Sequence, residues 1–267
     1  MRELTLQELK EIELDILKHF DAFCKKNNIR YYLSHGTVLG AIRYKKFIPW
    51  DDDVDLLIPR EDYNRMISLF EDTEKYRLFA FEKNENYPYP FAKLCDMTTL
   101  KDEFAYNTKM KLGVDIDLFP LDAWDDDIEK ARQEAINIHK NILYLGLSKQ
   151  KKPDVEAPIK RFAAKCMLAY YKILGSKYFV KKIIKLSTKP ATENSKYLGC
   201  KAWCVYGEKG IIPAEAFGEP IYIEFEGLMF PAPRDYDTYL TCLYGDYLPE
   251  PPKEKQKTHH AFKAYRL

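Results

Sequence analysis

Pro49-Trp50-Asp51-Asp52-Asp53-Val54-Asp55-Leu56-Leu57-Ile58 sets four carboxylates within five residues, directly ahead of an apolar run. Asp is a poor strand former and crowded like charges repel, so acids at the mouth of a strand need a reason. Residues i and i+2 of a strand share a face. Asp53 and Asp55 therefore stand side by side, while Val54 and Leu56 turn into the core. Such a pair suits hard, oxygen-seeking cations such as Mg²⁺ or Mn²⁺, which neutralise the repulsion. A solvated acidic turn would share the composition but does not call for the alternation Asp-Val-Asp-Leu.

Val114-Asp115-Ile116-Asp117-Leu118-Phe119 repeats the pattern. Two such strands laid side by side converge three or four carboxylates on one spot, which requires a metal or shared protons. An edge strand with one wet face explains one occurrence; two occurrences favour a metal site. Upstream, Ser34-His35-Gly36-Thr37 lies where a strand meets a helix, with Thr37 sixteen residues before Asp53. A helix N-terminus presents unpaired amides, and Gly lets a phosphate approach the backbone. Thr37 adds a hydroxyl. His35 reads either as a base or as a hydrogen-bonded structural histidine.

Around these motifs the elements alternate. Thr5 and Glu8 form a capping box. Leu6, Leu9, Ile12, Ile16, Phe20 and Phe23 follow at helical spacing, and Asn27-Asn28 ends that helix. Strands are expected over 29–33, 54–58, 76–82, 91–95 and 114–119, with a small helix to about Arg43 and another over 61–70. From 126 to about 186 the pattern is helical, interrupted near Lys152-Pro153 and Gly175. Residues 221–225 and 228–230 flank Glu226-Gly227 as a hairpin, and a helix over 236–244 precedes a Pro-rich tail. The reading is an α/β (α+β) fold: a single domain over 1–267, with a core of about 1–124 and 196–267 and a helical insertion of about 125–195.

The 267 residues carry 42 basic and 41 acidic side chains, a net charge of +1, and 46% are apolar, which excludes disorder. No apolar stretch reaches the length of a spanning helix, and the charged N-terminus lacks a signal core. Near-zero charge argues against nucleic acid as a partner. Six cysteines without a Cys-x-x-Cys pair read as buried thiols in a reducing cytoplasm; Cys200 and Cys204, on one helix face, make only a weak zinc signal.

The run His35-Gly36-Thr37-Val38-Leu39-Gly40-Ala41-Ile42-Arg43, then Phe47-Ile48-Pro49-Trp50-Asp51-Asp52-Asp53-Val54-Asp55, resembles the LicD family signature. So do Ile116-Asp117-Leu118-Phe119-Pro120-Leu121-Asp122 and the ending of Tyr239-Leu240, Tyr244-Gly245-Asp246-Tyr247, Pro251-Pro252 and His259-His260. The resemblance implies a nucleotidyltransferase-like mixed sheet flanked by helices and a phosphocholine-transferase type of activity. It makes Asp53 and Asp55 the metal pair and Asp117 the third carboxylate, all three catalytic, with Asp115 beside them in the metal set or orienting a ligand. Gly36-Thr37 resembles the turn that holds nucleotide phosphates, together with His35. Arg43, Lys46 and Lys93 are expected at a diphosphate on charge and location alone.

The mechanism implied is attack on a phosphorus of a CDP-linked donor such as CDP-choline. Two ions of Mg²⁺ or Mn²⁺, roughly 3.5–4 Å apart, would stabilise the attacking and leaving oxygens. Asp115, Asp117 or His35 would serve if a base is needed. Choline calls for an aromatic cage, for which Tyr87, Tyr89 and Trp203 are candidates. The acceptor is a cell-surface glycan or its lipid-linked precursor.

Residues 159–189 carry nine Lys or Arg and no acid: Lys160, Arg161, Lys165, Lys172, Lys177, Lys181, Lys182, Lys185 and Lys189. Phe162, Cys166, Ala169 and Ile173 form a helical seam, with Tyr170, Tyr171, Tyr178 and Phe179 adding aromatics. Such a helix suits peripheral contact with an anionic membrane, placing the chain in the cytoplasm at the membrane's inner face. Two other readings stay open: a nucleotidyltransferase attaching a nucleoside monophosphate to a small molecule, and a non-catalytic glycan- or membrane-binding module.

Overall fold

The computed structural model describes residues 1–103, 110–151, 158–258 and 262–267, with backbone alone for 103 and 158–164. His259-His260 and the break at Lys152-Pro153 lie outside the described residues. A short strand β1 (Arg2–Glu3) leads to α1 (Leu6–Asn27), whose capping box forms as expected and whose C-terminus ends on left-handed Asn28. The chain continues as β2 (Tyr32–Leu33), α2 (His35–Tyr44), β3 (Asp55–Pro59), α3 (Arg60–Leu69), β4 (Tyr76–Phe79), β5 (Ala92–Glu103) and β6 (Leu112–Ala123). Then come α4 (Ile128–Lys149), α5 (Pro158–Ser187), β7 (Tyr197–Gly199), β8 (Ile212–Pro213), β9 (Ile221–Phe225), β10 (Leu228–Ala232), α6 (Tyr236–Tyr244) and β11 (Phe262–Arg266). The fold is α/β, as read.

The main sheet runs β1-β11-β5-β6-β3-β2, with β4 on β5 and β7-β8 continuing from β6. Among the described residues only β3 and β6 pair in parallel; their neighbours are antiparallel. Both strands bury residues on either face, as a central pair should, and α1 packs over β5 and β6 through Leu9, Ile12, Ile16 and Phe20. The long helices leave the end of β6, and the chain returns as β7 onto that same end, pairing with Asp122 and Ala123.

Several boundaries differ from the sequence reading for local reasons. β2 lacks residues 29–31 because Arg30 donates from its backbone and side chain to Asp62 of α3 at 3.3 Å instead. β5 continues past Cys95 because β11, arriving from the far end of the chain, pairs with 99–103 after a bulge. The β9-β10 turn is Glu226-Gly227, both at positive φ, the two-residue geometry that matches strand twist. α5 kinks at Gly175, where φ is +77°. Its described seam is the reverse of that expected: Leu168 is buried and Tyr171 half-buried against Tyr144 of α4, while Cys166, Ala169 and Ile173 face outward. Cys200 and Cys204 lie in irregular chain rather than on a helix.

Candidate active site

The parallel register of β3 on β6 places Asp55 beside Asp117, and the antiparallel register of β5 on β6 places Lys93 on the other side of Asp117. Asp55, Asp117 and Lys93 thus form a row across three adjacent strands, on one face. Thr37 holds the near end: the backbone N–H of Asp55 donates to its hydroxyl at 2.8 Å, and Ser34 N–H donates to the Asp55 carbonyl at 2.9 Å. The Thr37 hydroxyl therefore fixes the start of β3.

Lys93 is buried and donates to Asp115 Oδ2 at 2.5 Å and to Asp117 Oδ1; Lys101 donates to Asp115 Oδ1 at 2.9 Å. Burial pushes the Asp115 carboxyl up, but Lys101 and Lys93 outweigh it and hold the group below the usual carboxylate range. One rung along, the balance reverses. Burial, only partly offset by Lys93, lifts Asp117 to about 6. Asp55 is raised well above the ordinary range by burial and by the charges of Asp53, Asp117 and Asp51. Asp115 is 2% exposed and Asp117 18%, so the sealed carboxylate is the neutralised one and the open carboxylate the one left wanting positive charge.

The loop before β3 adds more acid. Asp51, Asp52 and Asp53 offer carboxylate oxygens all within 4.8 Å of one another. Gly36 makes room for this: a Cβ there would come within 2.5 Å of Asp51 Oδ2, so a carboxylate reaches the first turn of α2 at the place assigned to a phosphate. Lys10 of α1 clamps the loop by donating to the carbonyls of Ile48 at 2.9 Å and Pro49 at 3.0 Å. The β9-β10 turn holds the same stretch, with Phe47 N–H donating to Glu226 Oε1 at 3.1 Å.

His35, at φ +44°, places its Nδ1 3.5 Å from Asp55 Oδ2 and 3.1 Å from Ser34 Oγ. Its ring stacks on Tyr206 at 5.5 Å and meets the edge of Phe119. Burial lowers its pKa to about 4, so the imidazole is neutral near pH 7. Asp51, Asp53, Asp55 and Asp117 open into a cleft of about 960 Å³. Trp50, Phe119, Trp203, Tyr206 and Tyr244 supply its aromatic walls. Tyr206 and Tyr244 meet at 89°, centroids 5.6 Å apart, hydroxyls 3.0 Å apart.

Residues 28–143 match the profile of the LicD/FKTN/FKRP nucleotidyltransferase domain. Over 274 aligned positions the chain is 33% identical to the lipopolysaccharide cholinephosphotransferase LicD of Haemophilus influenzae, a match covering 100% of both proteins. The chain belongs to the LicD family. Membership makes it an enzyme of the transferase class. Shorter matches join it to uncharacterized proteins of Rickettsia typhi, at 38% identity over 23% of this chain and 20% of that one, and Rickettsia prowazekii, at 45% over 18% of each.

In this LicD-family chain the profile spans the carboxylate row and Lys93 but stops short of the wall built by Trp203, Tyr206 and Tyr244. The structure brings His35, Gly36, Asp53, Asp55, Asp117 and Arg43 to one cleft. Arg43 is spent within it, donating to the Tyr247 carbonyl and, at 2.8 Å, to that of Pro249; Tyr44 adds a hydrogen bond to Glu250 at 2.7 Å. Together they strap the C-terminal segment across α2, where the sequence reading had put a diphosphate contact. Lys46 is exposed and outside the cleft lining, and Lys93 is buried behind Asp117. Of the cage candidates Trp203 lines the cleft, whereas Tyr87 and Tyr89 pack in the core. Asp51 and Tyr206 were missed as site residues, and Tyr244 was quoted only as part of the family-like ending, without a role at the site. Only the acid run flagged Asp51, and no motif or spacing flags Tyr206.

Proposed function

We propose that this transferase moves a phosphocholine-like group from a CDP-activated donor to a hydroxyl of a cell-surface glycan or its lipid-linked precursor. The observation carrying this reading is the pairing of Asp55 with Asp117 in a cleft whose other wall is aromatic. The hard, crowded oxygens of Asp53, Asp55 and Asp117 fit Mg²⁺ or Mn²⁺. Both oxygens of Asp115 are engaged by lysines, so we leave it out of that set. When bound, two such ions would stabilise charge on the transferred phosphoryl and the leaving nucleotide and make the acceptor hydroxyl more acidic.

The chain's own residues do the rest. Lys93 keeps Asp117 from carrying the full repulsion of its neighbours. The rings of Tyr206, Tyr244 and Trp203 offer π faces to a quaternary ammonium beside the carboxylates. As the acceptor oxygen bonds to phosphorus, the bond to cytidine monophosphate breaks and the hydroxyl proton leaves. His35, whose pKa burial lowers to about 4, is a poor acceptor of that proton. An acceptor held at a membrane would place the chain at the bilayer's inner face.

Incubation with a panel of cytidine-diphosphate donors and Mg²⁺ or Mn²⁺ should release cytidine monophosphate, most readily from the choline donor. Asp55→Asn and Asp117→Asn should abolish it. Release of pyrophosphate from a nucleoside triphosphate would replace this reading with nucleotidyl transfer. Retention of function in both Asn variants would mark a binding module.

A further inference from the structure

We propose, on the basis of the transferase reading, that Lys255 and Lys257 of the C-terminal segment bind the diphosphate of the nucleotide donor. Asp51, Asp53, Asp55 and Asp117 make the cleft acidic, and a diphosphate brings negative charge of its own. Divalent ions would offset part of that charge, and cations of the chain on the same cleft offset more. The three cations expected from the sequence do not serve there. Arg43 is spent on the carbonyls of Tyr247 and Pro249, and Lys46 lies outside the lining. Lys93 is buried against Asp115 and Asp117.

Lys255 and Lys257 line the cleft and are exposed to solvent. Among the described residues neither ammonium is paired with a carboxylate. Their segment is anchored before any ligand arrives: Arg43 and Tyr44 fasten residues 247–250 to α2. Beyond that anchor, Gln256 Nε2 donates to the Pro251 carbonyl at 3.0 Å. The backbone then turns tightly, with Lys255 N–H donating to the Pro252 carbonyl at 2.8 Å and Lys257 N–H to the Lys255 carbonyl at 3.0 Å. Two ammonium groups on a braced loop meet phosphate oxygens with little further ordering of the backbone. Lys253, on the same turn, is exposed but outside the cleft lining, so it separates a directed contact from general charge.

Calorimetric titration of the full chain with cytidine diphosphate in the presence of Mn²⁺ tests this without turnover. An exposed cation–phosphate pair contributes roughly threefold, so Lys255→Ala with Lys257→Ala should weaken binding about tenfold. The difference should shrink as salt rises. Arg at both positions should restore most of the affinity, and Lys253→Ala should leave it unchanged. Cytidine, which has no phosphate, should bind the double Ala variant as it binds the wild type. Melting midpoint and Mn²⁺ affinity should also stay at wild-type values, since these side chains are exposed. Undiminished cytidine diphosphate binding in the double Ala variant, an equal loss in Lys253→Ala, or an equal loss for cytidine would overturn the proposal. So would a wild-type chain that does not bind cytidine diphosphate. The expected binding pattern in a chain that releases no cytidine monophosphate from any donor would support the lysine site and overturn the transferase reading alone.

Discussion

Replacing Lys93 by Met removes an ammonium that touches both Asp115 and Asp117. The lysine side chain is 6% exposed and its partners 2% and 18%, so water cannot take over its role. Removing one member of a buried ion pair costs about 3–5 kcal/mol, chiefly from the charge left behind. In a chain of this size that lowers the melting midpoint by roughly 6–20 °C. Lys101 still holds Asp115 Oδ1, which favours the lower end of that range. Thermal and urea unfolding of Lys93→Met, Asp115→Asn and the double variant would measure the coupling. The Lys93 substitution should be cheaper by at least ~1 kcal/mol once Asp115 is neutral. In the ion-free protein, loss of the ammonium lets Asp117 rise further from about 6, so its carboxyl titration followed by NMR should move to higher pH. A cost under ~1 kcal/mol, with single effects that add to within ~0.5 kcal/mol, would refute the buried counter-ion.

Thr37→Val removes the acceptor of the Asp55 N–H and should cost about 1–3 kcal/mol in urea unfolding. Gly36→Ala should fold, because the clashing atom is the end of a side chain, yet displace Asp51 and weaken Mn²⁺ binding roughly tenfold by calorimetry; unchanged binding would detach Asp51 from the ions. His35 has its folded pKa depressed to about 4 by burial, so its contribution is whole above the unfolded value of about 6.5. That contribution is lost as pH falls toward 4, on the order of 3 kcal/mol, and His35→Gln should flatten this part of the stability–pH curve.

The acid-alternating strands were legible because two periodicities coincided: period-2 placement of carboxylates and an apolar complement at Val54, Leu56, Ile116 and Leu118, all buried. Their adjacency was a conjecture from charge chemistry, and the register of Asp55 on Asp117 is what strand pairing added. Lys93 was picked out by its charge, but its direction depends on the β5-β6 register, which local sequence does not encode. The same holds for Arg43, whose partners lie more than two hundred residues away in the C-terminal strap. The aromatic wall was illegible for a different reason. In a chain with 20 tyrosines, composition cannot single out the few that face the carboxylates. The reversed seam of α5 shows the limit of helical spacing: two apolar stripes ran through one helix, and only packing against α4 decided which was inner.

Along β6, Asp115 and Asp117 are chemically identical and two residues apart on one face, about 7 Å along the strand. They diverge because Lys93 and Lys101 converge on Asp115, whereas Asp117 shares Lys93 with its neighbour and faces Asp55 across the sheet. One carboxylate is thus satisfied within the protein and the other left in want of a cation at the cleft's edge. If that division holds, Asp115→Asn should leave Mn²⁺ affinity nearly intact while lowering stability, and Asp117→Asn should do the reverse, since its removal relieves repulsion with Asp55. Calorimetric titration with Mn²⁺ alongside urea unfolding of the two variants would separate the roles. Equal losses of Mn²⁺ affinity in both would return Asp115 to the ligand set and leave Lys93 as a residue that must move when the ions bind.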